Sequence, residues 1–440
     1  MHHVFDPEHN LKDGGIKLSS KRHTLMTGQN PAALPAMWEN DVTRILVYSH
    51  DTFGLGNIRR MVRISEALVD RDPTVSVLIV TGSPMLHAFR LPPRIDYVKL
   101  PCLARDTHGT YGVRHLEMEF DAAVRMRASL ILSAAADFDP DIVLIDKKPL
   151  GVAGEVGPML ELFAGREKRP EIHLLLRDIL DTPAATRKVW DANDYHEAIA
   201  RFYDSVLVVG DDEVFNMAEA YRFPPATCNK LTYCGYINRA HPELLGRPYA
   251  KAERPTLLVH AGGGEDGAAV MDGALTALEL MGNDRGFDCR IIGGSELNDV
   301  ARKVFARRAD ALADVEWIDF SDTMGKEIAN ADLVISMGGY NSICEILSYR
   351  KRAIIVPRSV PVREQRIRAE AMDALGLLRM VPAETLDPSQ LARMIRTEIE
   401  RGNVVPSLTA RIRFDGLNVI CDRLLGAQIA SHVRIKAARP

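Results

Sequence analysis

Residues 331–345, ADLVISMGGYNSICE, pass from a short apolar run through a glycine pair into a stretch of helical period. That order reads as strand, tight turn and helix, the repeating unit of a parallel α/β sheet. A glycine turn at a helix start lets backbone N–H groups come close to a phosphate, and the helix dipole favours negative charge there. Asn341 or Ser342 is placed to cap the helix, and Glu345 lies on its first turns, within reach of vicinal hydroxyls. Taken alone, the same residues also describe an ordinary turn with a solvated glutamate, so the neighbouring pattern has to decide.

Outward from this stretch the unit recurs. Thr256–Ala261, Cys289–Gly293, Val315–Asp319, Leu333–Met337 and Ala353–Val356 read as strands, with helices near 268–281, 297–309, 341–349, 364–375 and 388–400. Earlier in the chain, Ile45–Ser49, Val75–Thr81, Ile95–Leu100, Asp141–Asp146, Ile172–Arg177 and Ser205–Val209 are the expected strands of a first sheet. Ile58–Val69, Leu116–Ala136 and Gly154–Phe163 are the expected helices between them. The fold class is therefore α/β, with two doubly wound Rossmann-like lobes facing a central cleft. The expected division is an N-terminal extension over 1–41, a first lobe over 42–240, a proline-rich linker over 241–255, a second lobe over 256–405, and a C-terminal helix and tail over 406–440. The last helix is expected at Phe414–Ile429.

In open sheets of this kind ligands bind beyond the carboxyl ends of the strands, so the strand-end loops are where chemistry is sought. His260 to Gly267 (HAGGGEDG) ends one strand, and Gly262, Gly263 and Gly264 supply a row of amides suited to a diphosphate. It lacks the Gly-Lys-Ser/Thr of a Walker loop and the spacing of a dinucleotide fingerprint, which argues against ATP and NAD. Glu364 and Gln365 open a helix where their side chains can meet sugar hydroxyls. In the first lobe, His50-Asp51-Thr52-Phe53-Gly54-Leu55-Gly56-Asn57 follows the first strand, and His50 or Asp51 can act as a general base. Asp137-Phe138-Asp139 has the spacing of a DxD metal motif but sits in a turn beside Pro140, where local hydrogen bonding explains it. No metal site is expected. Arg350, Lys351, Arg352, Arg358, Arg363, Arg366 and Arg368 form a basic cluster suited to a diphosphate or an anionic lipid surface.

Composition sets the outer limits. The 440 residues are 46% hydrophobic and 26% charged, with a formal net charge of -4 from 55 basic and 59 acidic residues. This excludes a disordered chain and argues against nucleic acid as the main partner. Six cysteines without a CxxC pair suit a reducing compartment. No run reaches the roughly 18 consecutive apolar residues of a spanning helix. A cytoplasmic protein is expected, with a peripheral contact to the inner face of the cell membrane through the apolar and basic stretch Met85–Arg94.

With these residues in place, the second lobe resembles the nucleotide-sugar-binding half of GT-B glycosyltransferases, especially glycosyltransferase family 28 and its MurG-like members. The matching features are Gly262–Gly264, the segment WIDFSDTM from Trp317, the strand from Ala331 with Gly338-Gly339, Glu345, and Glu364-Gln365. The first lobe, with SHDTFGLGNIRR, VTGSP, LLRDILD and YCGY, resembles a group of bacterial predicted glycosyltransferases related to that family. The resemblance implies an inverting, metal-independent hexosyltransferase with no cofactor, its donor a UDP-linked sugar, usually an N-acetylhexosamine. It implies that Glu345 binds the ribose hydroxyls and that Phe320 and Ser321 flank the base. Gly338, Gly339, Asn341, Ser342 and the Gly262–Gly264 loop would hold the diphosphate, while Glu364 and Gln365 read the sugar. The acceptor implied is a hydroxyl of a glycan, glycolipid or small molecule, met by the loop of Gly54, Gly56 and Asn57. The family's glycine loop commonly runs into a histidine near the acceptor, where this chain has Asn57, which cannot take a proton. The base is then His50 or Asp51, or the chemistry is altered or lost. Two rival readings follow: a nucleotide-sugar hydrolase or 2-epimerase on the same fold, and an inactive nucleotide-sugar-binding or partner subunit.

Overall fold

A computed structural model describes residues 42–50, 56–105, 111–244, 253–262, 267–294, 297–360, 362–402 and 412–437. The extension over 1–41, much of the linker, and the expected site residues Asp51, Gly54, Gly263 and Gly264 lie outside the described residues.

The first sheet is wholly parallel and has seven strands: β1 (Thr43–Ser49), β2 (Val75–Thr81), β3 (Ile95–Lys99), β4 (Ile142–Asp146), β5 (Glu171–Arg177), β6 (Ser205–Val209) and β7 (Leu231–Tyr233). Their spatial order is β3-β2-β1-β4-β5-β6-β7. Within β1, Ile45 and Val47 face one apolar core while Leu46 and Tyr48 face another, so helices cover both faces. That double burial is why the strands read as unbroken apolar runs rather than alternating ones. The second sheet repeats the plan with β8 (Thr256–His260), β9 (Asp288–Ile292), β10 (Val315–Ile318), β11 (Leu333–Ser336), β12 (Arg352–Ile355) and β13 (Arg379–Met380), in the order β10-β9-β8-β11-β12-β13. This is the expected pair of doubly wound Rossmann-like lobes.

Several expected boundaries move. The helix expected from Leu116 starts at Phe120, because Leu103–Arg105 and Tyr111–Val113 form an antiparallel ribbon ahead of it. The helix expected from Gly154 is interrupted, since Ala153 and Gly154 both have positive φ, and the regular helix is Gly157–Ala164. Strands β7 and β13, only three and two residues long, were not anticipated. Four helices matter below: α1 (Gly56–Arg71), α2 (Tyr340–Ser348), α3 (Glu364–Ala374) and α4 (Gly416–Ala437).

Helix α4 extends beyond the expected Phe414–Ile429 and is more than a tail. Its Ile420, Cys421, Leu424 and Leu425 are buried in the core that also contains Ile58 and Leu68 of α1, and Asp422 pairs with Arg71. Just before it, the Tyr236 N–H donates to the Arg413 carbonyl at 2.8 Å. Gly416 permits this join, because a Cβ there would lie 2.7 Å from the Gly235 carbonyl oxygen. The chain therefore leaves the second sheet and closes back on the first lobe.

Candidate functional site

In each sheet the strand order reverses beside the first strand, between β1 and β4 in one lobe and between β8 and β11 in the other. Loops on either side of such a reversal diverge and open a crevice at the carboxyl edge. In the second lobe the crevice lies beyond His260 and Ser336, which are register partners.

The turn after β11 is built for glycine. Gly338 has φ +74, and a Cβ there would lie 2.5 Å from the Ile355 side chain. Gly339 then serves as N-cap of α2 with no side-chain cap. The expected cap from Asn341 or Ser342 is thus not formed, since both lie inside the helix. Asn341 instead reaches across to the other lobe, its Nδ2 donating to the Gly56 carbonyl at 3.2 Å while its Oδ1 accepts from Arg239 at 2.7 Å. Gly262, at φ +67, faces Ser342 Oγ at 3.6 Å from its ideal Cβ position, and Gly339 faces the Gln365 amide at 3.9 Å by the same measure. Gly262, Gly338, Gly339, Ser342 and Gln365 therefore share one site. Gln365 is buried, and its Oε1 accepts from the Arg358 N–H at 3.4 Å.

Glu345 stands one turn along α2 from Asn341, on the same face. Its carboxylate is 3.9 Å from Arg239. Burial raises its pKa, against the opposing pull of Arg239 and Arg59. Phe320, after β10, leaves 55% of its surface exposed, and Ser321 accepts from the Thr323 N–H at 3.2 Å. His260 is 1% exposed; its Nδ1 accepts from the Gly262 N–H at 3.3 Å, which puts the ring proton on Nε2. Burial lowers its pKa to about 4, so the ring is neutral.

Glu364 sits differently from a sugar-reading group. It is buried and accepts from Arg368 at 2.5 Å, with Arg177 of the first lobe at 3.7 Å. Burial alone would raise its carboxyl, but the two arginines outweigh that and hold it at about 2. Arg368, fully buried, also grips Asp178 at the end of β5 through two bonds of 2.7 and 2.9 Å. Tyr236 donates to the same Asp178 at 3.0 Å, and Arg60 and Arg368 lie 5.9 and 5.6 Å from the Tyr340 ring. This ionic tie joins the lobes beneath the crevice. Sequence reading passed over Asp178, Tyr236 and Arg239; the motifs LLRDILD and YCGY were the available signal.

In the first lobe Asn57 closes the loop after β1. Its Nδ2 donates to the His50 carbonyl at 2.7 Å, and its Oδ1 accepts from Arg60, which also holds Asp146 at 2.5 Å. The His50 side chain is 1% exposed.

Three expected surface features lie among the described residues. The basic cluster is dispersed into pairs: Arg352 with Glu398, Arg366 with Glu370 and Glu384, and Arg368 in the buried tie. Asp139 ends its helix in the left-handed conformation and pairs with Arg166 at 2.6 Å, as the turn reading expected. In Met85–Arg94, Leu86 is core, Phe89 and Leu91 pack on it, Arg94 donates to three backbone carbonyls, and Met85 is exposed. Among the described residues no helix is long and apolar enough to cross a membrane.

Residues 274–407 match the glycosyltransferase family 28 C-terminal domain. Over 183 residues the chain is 28% identical to the UDP-N-acetylglucosamine--N-acetylmuramyl-(pentapeptide) pyrophosphoryl-undecaprenol N-acetylglucosamine transferase of Syntrophotalea carbinolica, covering 41% of this chain and 50% of the relative. The chain spans about half the length of the curated relatives it matches. Among solved structures, Acinetobacter baumannii MurG has a TM-score of 0.57 at 14% identity, covering 87% of this chain and 99% of that one. The UDP-GlcNAc 2-epimerase of Neisseria meningitidis, bound to UDP-GlcNAc, has a TM-score of 0.57 at 15% identity, with 87% and 99% covered. The fold is GT-B.

Proposed function

We propose that this chain, whose residues 274–407 belong to the glycosyltransferase family 28 C-terminal domain and whose lobes form a GT-B fold, is an inverting glycosyltransferase using a UDP-linked sugar. The donor sugar is an N-acetylhexosamine, the sugar named in the curated relatives, and the acceptor is a hydroxyl of a glycan, glycolipid or small molecule. The relatives' names specify a pyrophosphoryl-undecaprenol acceptor, which favours a lipid-linked glycan here and a place on the cytoplasmic face of a membrane.

The observation that carries this reading is the convergence of Gly262, Gly338, Gly339 and Ser342 at the point where the second sheet reverses. Exposed amides at the start of α2 take the diphosphate, Phe320 offers a ring face to the base, and Glu345 accepts from the ribose hydroxyls. Gln365 reads the sugar, with Glu364 acting through Arg368 rather than by contact. The first-lobe strand ends, where His50 and Asn57 lie, receive the acceptor. A base there takes the hydroxyl proton while the acceptor oxygen attacks the anomeric carbon and the diphosphate departs with the bonding pair. Calorimetric titration with UDP, GDP, dTDP and ADP tests the donor site: selective UDP binding is expected, and equal or absent binding of all four would overturn it.

A second reading retains the donor and changes the reaction, because the epimerase bound to UDP-GlcNAc matches the fold as well as MurG does. Incubation with UDP-N-acetylglucosamine and no acceptor separates them. Accumulation of an epimer or rapid stoichiometric release of free sugar favours the second.

A further inference from the structure

We propose that Lys147, directly after β4, is the group that takes the proton from the acceptor hydroxyl. This rests on the transferase reading and supplies the base that Asn57 cannot be. Lys147 stands at the reversal point of the first sheet, where the crevice of that lobe opens, as His260 does in the second. Its backbone has φ +74, a conformation that is strained for a residue with a Cβ and that clusters at functional sites. A 2.8 Å bond from its N–H to the Leu175 carbonyl of β5 holds that conformation. The side chain is only partly exposed, yet no hydrogen bond or ion pair of its ammonium occurs among the described residues.

The charges around it explain how such a lysine works as a base. Arg177 on β5, Lys148 beside it and Arg60 on α1 are cations, and Asp146 is the one acid among them. That acid is already held by Arg60 at 2.5 Å. Glu155, on the loop that follows, is bound by Arg127 at 2.5 and 2.6 Å and by Tyr48, and Asp178 by Arg368. Burial first, then the repulsion of Arg177, brings the Lys147 amine down to about 7. A substantial neutral fraction therefore exists at neutral pH. Of the two bases expected from the sequence, His50 has its ring enclosed at 1% exposure, and Asp51 lies outside the described residues. In the step itself the acceptor O–H proton passes to the neutral Nζ, the acceptor oxygen bonds to the anomeric carbon, and the carbon–oxygen bond to the diphosphate breaks with its electrons.

The test uses the full chain with UDP-N-acetylglucosamine as donor and reads its slow background hydrolysis, far below the rapid release that marks a hydrolase, since a base for a hydroxyl serves water as well. Lys147→Met is expected to lower turnover about 100-fold or more and to remove the rising pH limb near 7. Lys147→Arg, which keeps the charge but cannot release it, is expected to be equally slow, and both should bind UDP within about twofold of the parent by calorimetry. Unchanged turnover and pH profile in Lys147→Met would overturn the assignment. Independently of turnover, pH-dependent labelling by trinitrobenzenesulfonate, read by peptide mass spectrometry, should reach half its maximum near pH 7 at Lys147. A midpoint above about 9 would also overturn it. Failure of the parent protein to bind UDP is a separate result that defeats the donor reading.

Discussion

The tie between the lobes makes a quantitative prediction. Asp178, Arg368, Glu364 and Arg177 form a buried group with two charges of each sign, and Arg368 has no exposed surface. Asp178→Ala removes two bonds to Arg368, one to Tyr236 and one from the Ile179 N–H, and leaves the group with one excess positive charge. Removing one partner of a buried pair costs about 3–5 kcal/mol, much of it the desolvation of the charge left behind. The lost tyrosine bond adds about 1 kcal/mol. Asp178→Ala should therefore lower unfolding free energy by about 4–6 kcal/mol, read by urea titration with Trp190 reporting the first lobe and Trp317 the second. The double variant Asp178→Leu, Arg368→Met leaves Glu364 with Arg177 and removes the uncompensated charge, so it should recover at least half of that loss. A single variant costing under about 1 kcal/mol, or a double variant worse than the single, would refute the claim that the tie acts through charge compensation.

Other perturbations probe the second lobe. On the proposed reading Glu345→Ala removes charge-assisted bonds to the ribose worth about 1.5–3 kcal/mol, so UDP affinity should fall roughly 10- to 150-fold with thermal stability kept; unchanged affinity by calorimetry removes the ribose role. Gly338→Ala combines a left-handed backbone with a 2.5 Å approach to Ile355, and should cost about 3 kcal/mol in urea unfolding. His260, lowered from 6.5 to about 4, gives stability that is complete above the unfolded value and lost as pH falls from there toward 4. Melting temperature should therefore fall from pH 7 to 4.5 more steeply in the parent than in His260→Gln, and identical slopes would contradict a buried neutral imidazole.

What the sequence revealed depended on the range of the physics involved. Helices 268–281 and 388–400 fall where expected because their period and boundaries are local: Pro388 follows the Asp387 cap, and Gly282 ends the earlier helix. The two-residue β13 has no room for a period, and the ribbon before Phe120 is made of three-residue strands in a mixed, largely polar stretch. Charge pairing is harder still. Asp178 and Arg368 are 190 residues apart, and a buried arginine is spelled like a solvated one, so the cluster from Arg350 to Arg368 read as a surface patch. Glycines were legible at the site because Gly338 is required by its own turn. Lys147 was not, since DKKPLG reads as a charged turn until β1 and β4 are known to be neighbours.

The same burial explains how the two edges divide the chemistry. Two arginines beneath the crevice are engaged within the protein, Arg60 by Asp146 and Arg368 by Asp178 and Glu364. On the proposed reading the donor's diphosphate meets the amides at the start of α2, whose positions are fixed by the Gly338 turn and do not reorganise as charge develops. Asp146, the acid next to Lys147, is already paired with Arg60, and burial lowers the proton affinity of the amine. Pairing inside the fold thus leaves one edge with fixed dipoles for the leaving group and the other with an amine able to change charge, the two properties that group transfer to a hydroxyl requires.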